Sequence, residues 1–290
     1  MKTIAVVAVA MLSLPFAIHA EEVDERRDVV RDGLVKIKNL RGDIRIEGWD
    51  EDEIRVQGDL DELSTGLRFE VDGDETQIEV QMPRRDVNWG DGSDLVIQVP
   101  SISRIAVDSV STDVYAENLD GGVQLRTVSG EIELRSSSQT ISLATVSGRI
   151  EVRDSSGDLR ARSSSGEIEL HSHQGNADVE TMSGEINLVA REAERLRGST
   201  ISGQIEVEVS FLQDVQAEFA SVSGEITIEI DDPENLSVSA SSISGEISNY
   251  LTDDAVKEGF GQNSLRTQIG DGSGSLNVRV VSGAIEIDEG

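Results

Sequence analysis

The chain has 290 residues, no cysteine and a formal charge of −31, from 56 acidic against 25 basic residues. The missing cysteine excludes disulfides, thiolate catalysis and thiolate metal sites. The charge argues against nucleic acid and anionic lipid as partners, because both are held by clustered Lys and Arg.

Residues 1–20 read as a signal peptide. Lys2 is followed by an apolar run from Ile4 to Ile18 and then by His19 and Ala20, with cleavage expected after Ala20. The run is short for a membrane span and contains Pro15. An uncleaved anchor is the alternative. No later run approaches membrane length, so no stable membrane insertion is expected after cleavage.

Residues 21–107 are strand-rich but irregular, and are expected to form an N-terminal β cap and first coils. A Gly-Asp-Ile-Arg-Ile step places Gly42, Ile44 and Ile46 in a pattern that returns later. Asp72-Gly73 predicts a hairpin turn. Asp94 to Val99 predicts a strand ended by Pro100.

Residues 108–290 are expected to form a repeat domain marked by Ser-Gly-x-Ile. The glycines are Gly130, Gly148, Gly166, Gly184, Gly203, Gly224, Gly245 and Gly283, at steps of 18, 18, 18, 19, 21, 21 and 38 residues. The last step predicts two coils, one of them degraded around Leu265 to Gly274. Ile stands two residues after each Gly, and a second alternating run, such as Ile141-x-Leu143, stands upstream. Period-2 alternation signals strands, and identical phases at a near-constant step signal stacked units. The predicted fold is all-β, a parallel β-solenoid (β-helix) with coils of about 18–21 residues. An antiparallel sandwich is the competitor, but nothing in a sandwich keeps one residue type at one phase. Gly is expected at corners. The Ser before it and the Thr or Ser two residues earlier should stack as hydroxyl columns bonding turn amides.

A signal segment, the Gly-Asp-Ile-Arg-Ile opening, the Asp-Leu-Val-Ile-Gln-Val-Pro strand and the Thr-Val-Ser-Gly-Glu-Ile-Glu-Leu units together resemble the DUF4097 family of β-strand-repeat, adhesin-like proteins. The resemblance covers residues 34 to 290. It implies a β-helical fold, an envelope location and loose links to surface binding or envelope stress, and it brings no catalytic residues.

The candidate sites are weak in chemistry. His171 and His173 can share a strand face as a metal pair, but no further ligand accompanies them, and they read as exposed loop histidines. The segments 90–94 and 270–275 read as turns rather than calcium loops. Outward Glu columns (Glu133, Glu151, Glu169; and Glu131, Arg149, Glu167, Glu185) form an acidic ladder open to cations or a basic partner, or simply a solvated face. Residues 190–198 and 251–261 read as polar excursions, candidate binding protrusions. No catalytic, cofactor-binding or metal residue is assigned. The expected function is a non-enzymatic exported envelope protein, periplasmic or secreted. It acts as a rigid binding or adhesin-like scaffold for an envelope protein or surface polymer. The alternatives are a polysaccharide-acting β-helix hydrolase or lyase, and a divalent-cation-binding acidic surface protein.

Overall fold

The computed structural model describes residues 21–83, 90–259 and 261–290, and the side chains of all of these except residues 212 and 213. The expected signal segment lies outside the described residues. Those described form twenty-two strands and no helix. The chain is all-β and solenoid-like.

Two ladders of strands carry the fold, one upstream and one downstream of the Ser-Gly corner. In the downstream ladder Val114 pairs in parallel with Ile132, Ile132 with Ile150, Ile150 with Ile168 and Ile168 with Ile186, each 18 residues on. Ile205 and Ile226 continue the series. The upstream ladder runs in step, as in Ile105 to Val123 to Ile141 to Leu159. Alternation then does the packing: Ile141, Leu143, Ile150 and Val152 all point inward and are buried. At about 1.5–3 kcal/mol for each buried aliphatic chain, a coil gains enough to offset much of the ordering of its backbone.

The glycine corners are set by close approach. A Cβ on Gly148 would lie 1.9 Å from the carbonyl oxygen of Gly130, and one on Gly166 would lie 1.9 Å from that of Gly148. The opposite corner has its own device. Asn118, Ser136, Asp154 and Ser172, again 18 apart, hold positive φ of 47–59°. Their residue types vary, so this second repeat leaves no identity signature in the chain.

The order of coils departs from the order of sequence at both ends. Ile285 pairs with Ile226 on one side and with Ile247 on the other. The final coil, Gly274–Ser282 and Ile285–Glu289, therefore sits between the two coils that precede it. The expected degraded coil around 265–274 is not in the stack. Gln262–Gln268 instead runs antiparallel along Leu236–Ser244 and covers that edge. At the other end Leu34–Trp49 lies between Arg104–Leu119 and the strands Glu75–Gln81 and Ser93–Pro100. Glu53–Asp59 and then Glu22–Asp28 close that side antiparallel. The hairpin at Gly73 forms as expected, with Gly73 at φ +62°.

Of the two sequence expectations about length variation, one is corrected. Residues 190–198 do not loop out, because Ile186–Ser202 is one strand with register shifts. Ala190, Ala193 and Leu196 turn inward, so the extra residue is absorbed as a bulge. Of 251–261, residues 251–259 do leave the stack: Leu251 is buried, but 253–255 and 257–259 are exposed, and Lys257–Gly259 pairs antiparallel with 262–264 as a hairpin arm.

The hydroxyl columns also differ from expectation. Thr112, Thr145, Ser163, Thr181, Thr200 and Ser221 are buried, and their hydroxyls find no hydrogen-bond partner among the described residues. The corner amides bond to backbone instead, as Ser147 N–H does to the Val128 carbonyl. Val280 occupies the same column between Ser221 and Ser242. Thr145→Val is therefore expected to raise stability by about 1 kcal/mol, since it removes an unsatisfied buried hydroxyl. The urea midpoint measures it, and a lowered midpoint would show that the hydroxyl is bonded.

A last surface feature follows from the corner. The residue before each corner Ser points outward, so Val110, Val128, Val146, Met182, Ile201, Val222, Val281 and Ile243 form an apolar column interrupted only by Ser164.

Candidate binding site

The outward Glu column forms as the spacing predicts, but arginines neutralise it. Arg135 contacts Glu133, Arg153 contacts Glu151, and Arg149 contacts Glu169 and, at 3.8 Å, Glu167. Glu151, Glu169 and His171 bring ligand atoms within 4.8 Å of one another, and Arg149 and Arg153 are bonded to the two carboxylates. Within the adjacent pair, the hydrogen bond to Glu169 and then burial push the Glu167 carboxyl up. Burial pushes Glu169 up too, but its bonds to Glu167 and Arg149 outweigh that and hold it down. Glu167 is the member of the pair that carries a proton first.

The two histidines part company. Both lie on the strand Ile168–Ser183 rather than in a loop, and His173 is fully buried. This corrects their reading as exposed loop residues. The left-handed corner at Ser172 turns His173 inward beneath Ser155, at the phase where Ser155 and Ser137 are buried in the preceding coils. Its Nε2 lies 3.1 Å from the Asn176 carbonyl, to which it must donate. Neutral Nδ1 then accepts from the Ser155 hydroxyl at 2.9 Å. Burial lowers the His173 pKa below its ordinary 6.5. The folded state thus binds fewer protons than the unfolded one just below pH 6.5. The stability contributed by neutral His173 is complete above about 6.5 and is lost as pH falls toward the depressed folded value. His173→Gln is expected to lower the melting temperature at pH 7.5, and the gap to wild type should narrow at pH 5.5. A pH-independent gap would contradict this account.

The feature that sequence reading missed lies at the N-terminal end of the same face. A hollow of about 390 Å³ is lined by residues from three adjacent strands, 42–49, 93–100 and 111–119, and by Glu131 and Glu133. Asp94, Asp43 and Asp113 stand in register across these strands. Burial, then Asp94 and Asp113 on either side, push the Asp43 carboxyl up. Asp113 accepts the Glu131 N–H at 2.7 Å. Beside this acidic wall, the Tyr115 ring lies between two guanidinium groups, Arg45 at 4.3 Å and Arg135 at 5.6 Å. The Tyr115 hydroxyl donates to Glu117 at 2.6 Å. Acceptors on one side and a cationic aromatic stack on the other suit a polar ligand that carries hydroxyl or amino donors and a flat or apolar face. Only the pairing register brings these residues together, since they come from segments up to 90 residues apart in the sequence, from Asp43 to Glu133.

Comparison with known proteins adds a family. Residues 32–288 match the family model Toastrack DUF4097. Among solved structures, a "putative adhesin" of Bacteroides fragilis aligns at 10% identity, covering 92% of this chain and 97% of that one, with a TM-score of 0.49. A "putative adhesin" of Parabacteroides merdae aligns at 10% identity over 92% and 96%, also with a TM-score of 0.49. A "putative lipid binding protein" of Parabacteroides distasonis aligns at 14% identity over 93% and 96%, with a TM-score of 0.46. No curated protein matches the chain.

Proposed function

The chain belongs to the Toastrack DUF4097 family, and from that premise we propose that it is a non-enzymatic, exported binding scaffold of the cell envelope, periplasmic or secreted. The stack is read as a parallel β-solenoid of 18–21-residue coils, with 21–107 as its N-terminal cap and first coils and 108–290 as the repeat domain. The observation that carries the binding role is the hollow around Tyr115. All its lining side chains but Glu131 are set on strands, and Glu131 sits at a corner held to Asp113, so their spacing is fixed before any ligand arrives. The ligand class it fits is a hydroxyl-rich envelope polymer or a polar segment of an envelope protein.

The test is co-sedimentation of residues 21–290 with purified cell-wall sacculi, extracted surface polysaccharide and envelope vesicles. Binding to one of these is expected, with a loss of at least about tenfold in Tyr115→Ala and in Asp43→Lys. Glu258→Lys, on a distant exposed strand, should bind as wild type. No binding by the wild type, or equal binding by all three variants, would overturn the reading.

A second reading, a polysaccharide-acting hydrolase or lyase, is favoured by the same aspartates. One raised carboxyl between two others is the division of labour that general acid–base hydrolysis uses. Release of reducing ends from a polysaccharide, abolished in Asp43→Asn, would establish it.

A further inference from the structure

The apolar column along the Ser-Gly corner has no place in the ligand reading above, and it is unusual for this chain. From Val110 to Ile243 it runs eight coil steps, about 40 Å at the inter-strand spacing. Its eight aliphatic side chains are each 43–57% exposed. Together they present on the order of 600 Å² of apolar surface, the upper end for the largest patch on a monomer. The serine and glycine columns beside it add more uncharged surface. In a chain of net charge −31, an uncharged strip this long needs a cover.

We propose that the strip is a self-association surface on which two copies pack corner to corner, with their stacks parallel. Area is the first argument. A standard interface takes about 800 Å² from each partner, and the apolar column with its serine border supplies that without any charged group.

Charge selects the orientation. One flank of the strip, on the upstream ladder, carries the exposed Arg126, Arg162 and Arg279. The other, at the start of the downstream ladder, carries Glu131, Glu167, Glu185, Glu225 and Glu246, with Arg149 the one cation among them. If the two-fold axis runs across the stacks, each flank meets its own kind, glutamates against glutamates. If the axis runs along the stacks, each flank meets the opposite one at the same height. Arg126 then faces Glu131, and Arg162 faces Glu167. Because the last coil is inserted between its predecessors, Arg279 stands at a height between Glu225 and Glu246. Glu180 opposite Glu185 is the one like-charged step in the repeat region, and Asp108 opposite Asp113 is another at its end. The parallel two-fold pair is the arrangement the charges favour.

Sedimentation velocity on residues 21–290 at tens of micromolar tests it. A dimer is expected for wild type, and a monomer for Met182→Glu combined with Val222→Glu, with an unchanged circular dichroism spectrum and melting temperature. A monomeric wild type overturns the proposal, as does a dimer in the folded double variant. Single cysteines give a second readout that does not depend on those variants, because the chain has none of its own. In the parallel pair a residue on the strip faces its own copy at every height, so Val110→Cys and Ile243→Cys, at the two ends of the strip, should each form disulfide dimers alone. In an antiparallel pair neither links alone and only their mixture does, which would overturn the stated orientation.

Discussion

Gly166→Ala is expected to destabilise the protein by about 3 kcal/mol or more, at or beyond the upper end of ordinary overpacking. The added methyl carbon would sit 1.9 Å from the Gly148 carbonyl oxygen and 2.9 Å from the Ser163 hydroxyl. Its φ lies outside the left-handed region, so the cost is contact alone. Relief requires the two coils to separate locally by more than an ångström, and that stretches ladder hydrogen bonds on both sides of the corner. Gly73→Ala is the control. It holds φ +62°, and a methyl added there would meet nothing within 4 Å, so only the left-handed backbone is penalised, about 1–2 kcal/mol. Chemical denaturation of both variants checks the comparison. Equal losses would mean that the corner glycines are kept for conformation and not for the approach of neighbouring coils.

This corner also shows how far the chain can be read before it is folded. Identity at one phase exposes the Gly and Ile columns, because stacking in register demands the same residue at the same place. The second corner is invisible in sequence: any of Asn, Ser or Asp tolerates a left-handed backbone there, so position is repeated without residue type. The bulge at Ala193 reads as a loop because its charged neighbours Arg191, Glu192 and Glu194 dominate the local composition. The inward spacing of Ala190, Ala193 and Leu196 is three rather than two. His173 is misplaced by sequence because of that second corner, since the left-handed Ser172 reverses which side of the strand faces in.

The candidate hollow is illegible on different grounds. Asp43, Asp94 and Asp113 carry no motif, and their juxtaposition depends on the first coil lying between the second and the third. Nothing in local alternation encodes which coil is neighbour to which. That information resides in the closing antiparallel strands: Glu53–Asp59 against Ser93–Pro100 at one end and Gln262–Gln268 against Leu236–Ser244 at the other. Both ends use the same solution. The terminal coil is held between two others, and charged or short strands form the outer edge, which blunts end-to-end recruitment of further chains.

The strongest consequence falls on the C-terminal end. Deleting residues 274–290 is expected to unfold the segment 232–273 together with the deleted coil, not to shorten the stack by one step. The deletion removes five buried side chains, Leu276, Val278, Val280, Ile285 and Ile287, on the order of 10 kcal/mol of gross burial. It also removes two coil interfaces where an end coil in sequential order would have only one. What remains of Leu236–Ser244 keeps only its antiparallel partner Gln262–Gln268, and a small two-stranded element does not persist alone in water. The strands Ile205–Ser223 and Ile226–Asp231 become an open edge, and the truncated protein should aggregate as well as melt earlier. Hydrogen exchange followed by mass spectrometry separates the two outcomes: amides of 236–249 should exchange freely in the truncated chain while those of 132–188 stay protected. Protection retained in 236–249 would mean that this coil redocks directly on 205–231, so that the inserted coil is not needed to hold it. The same topology sets an order on assembly. The coil at 236–249 cannot reach its native neighbour until the last residues of the chain are in place, so in refolding its amides should gain protection with those of 274–289 and after those of 132–188.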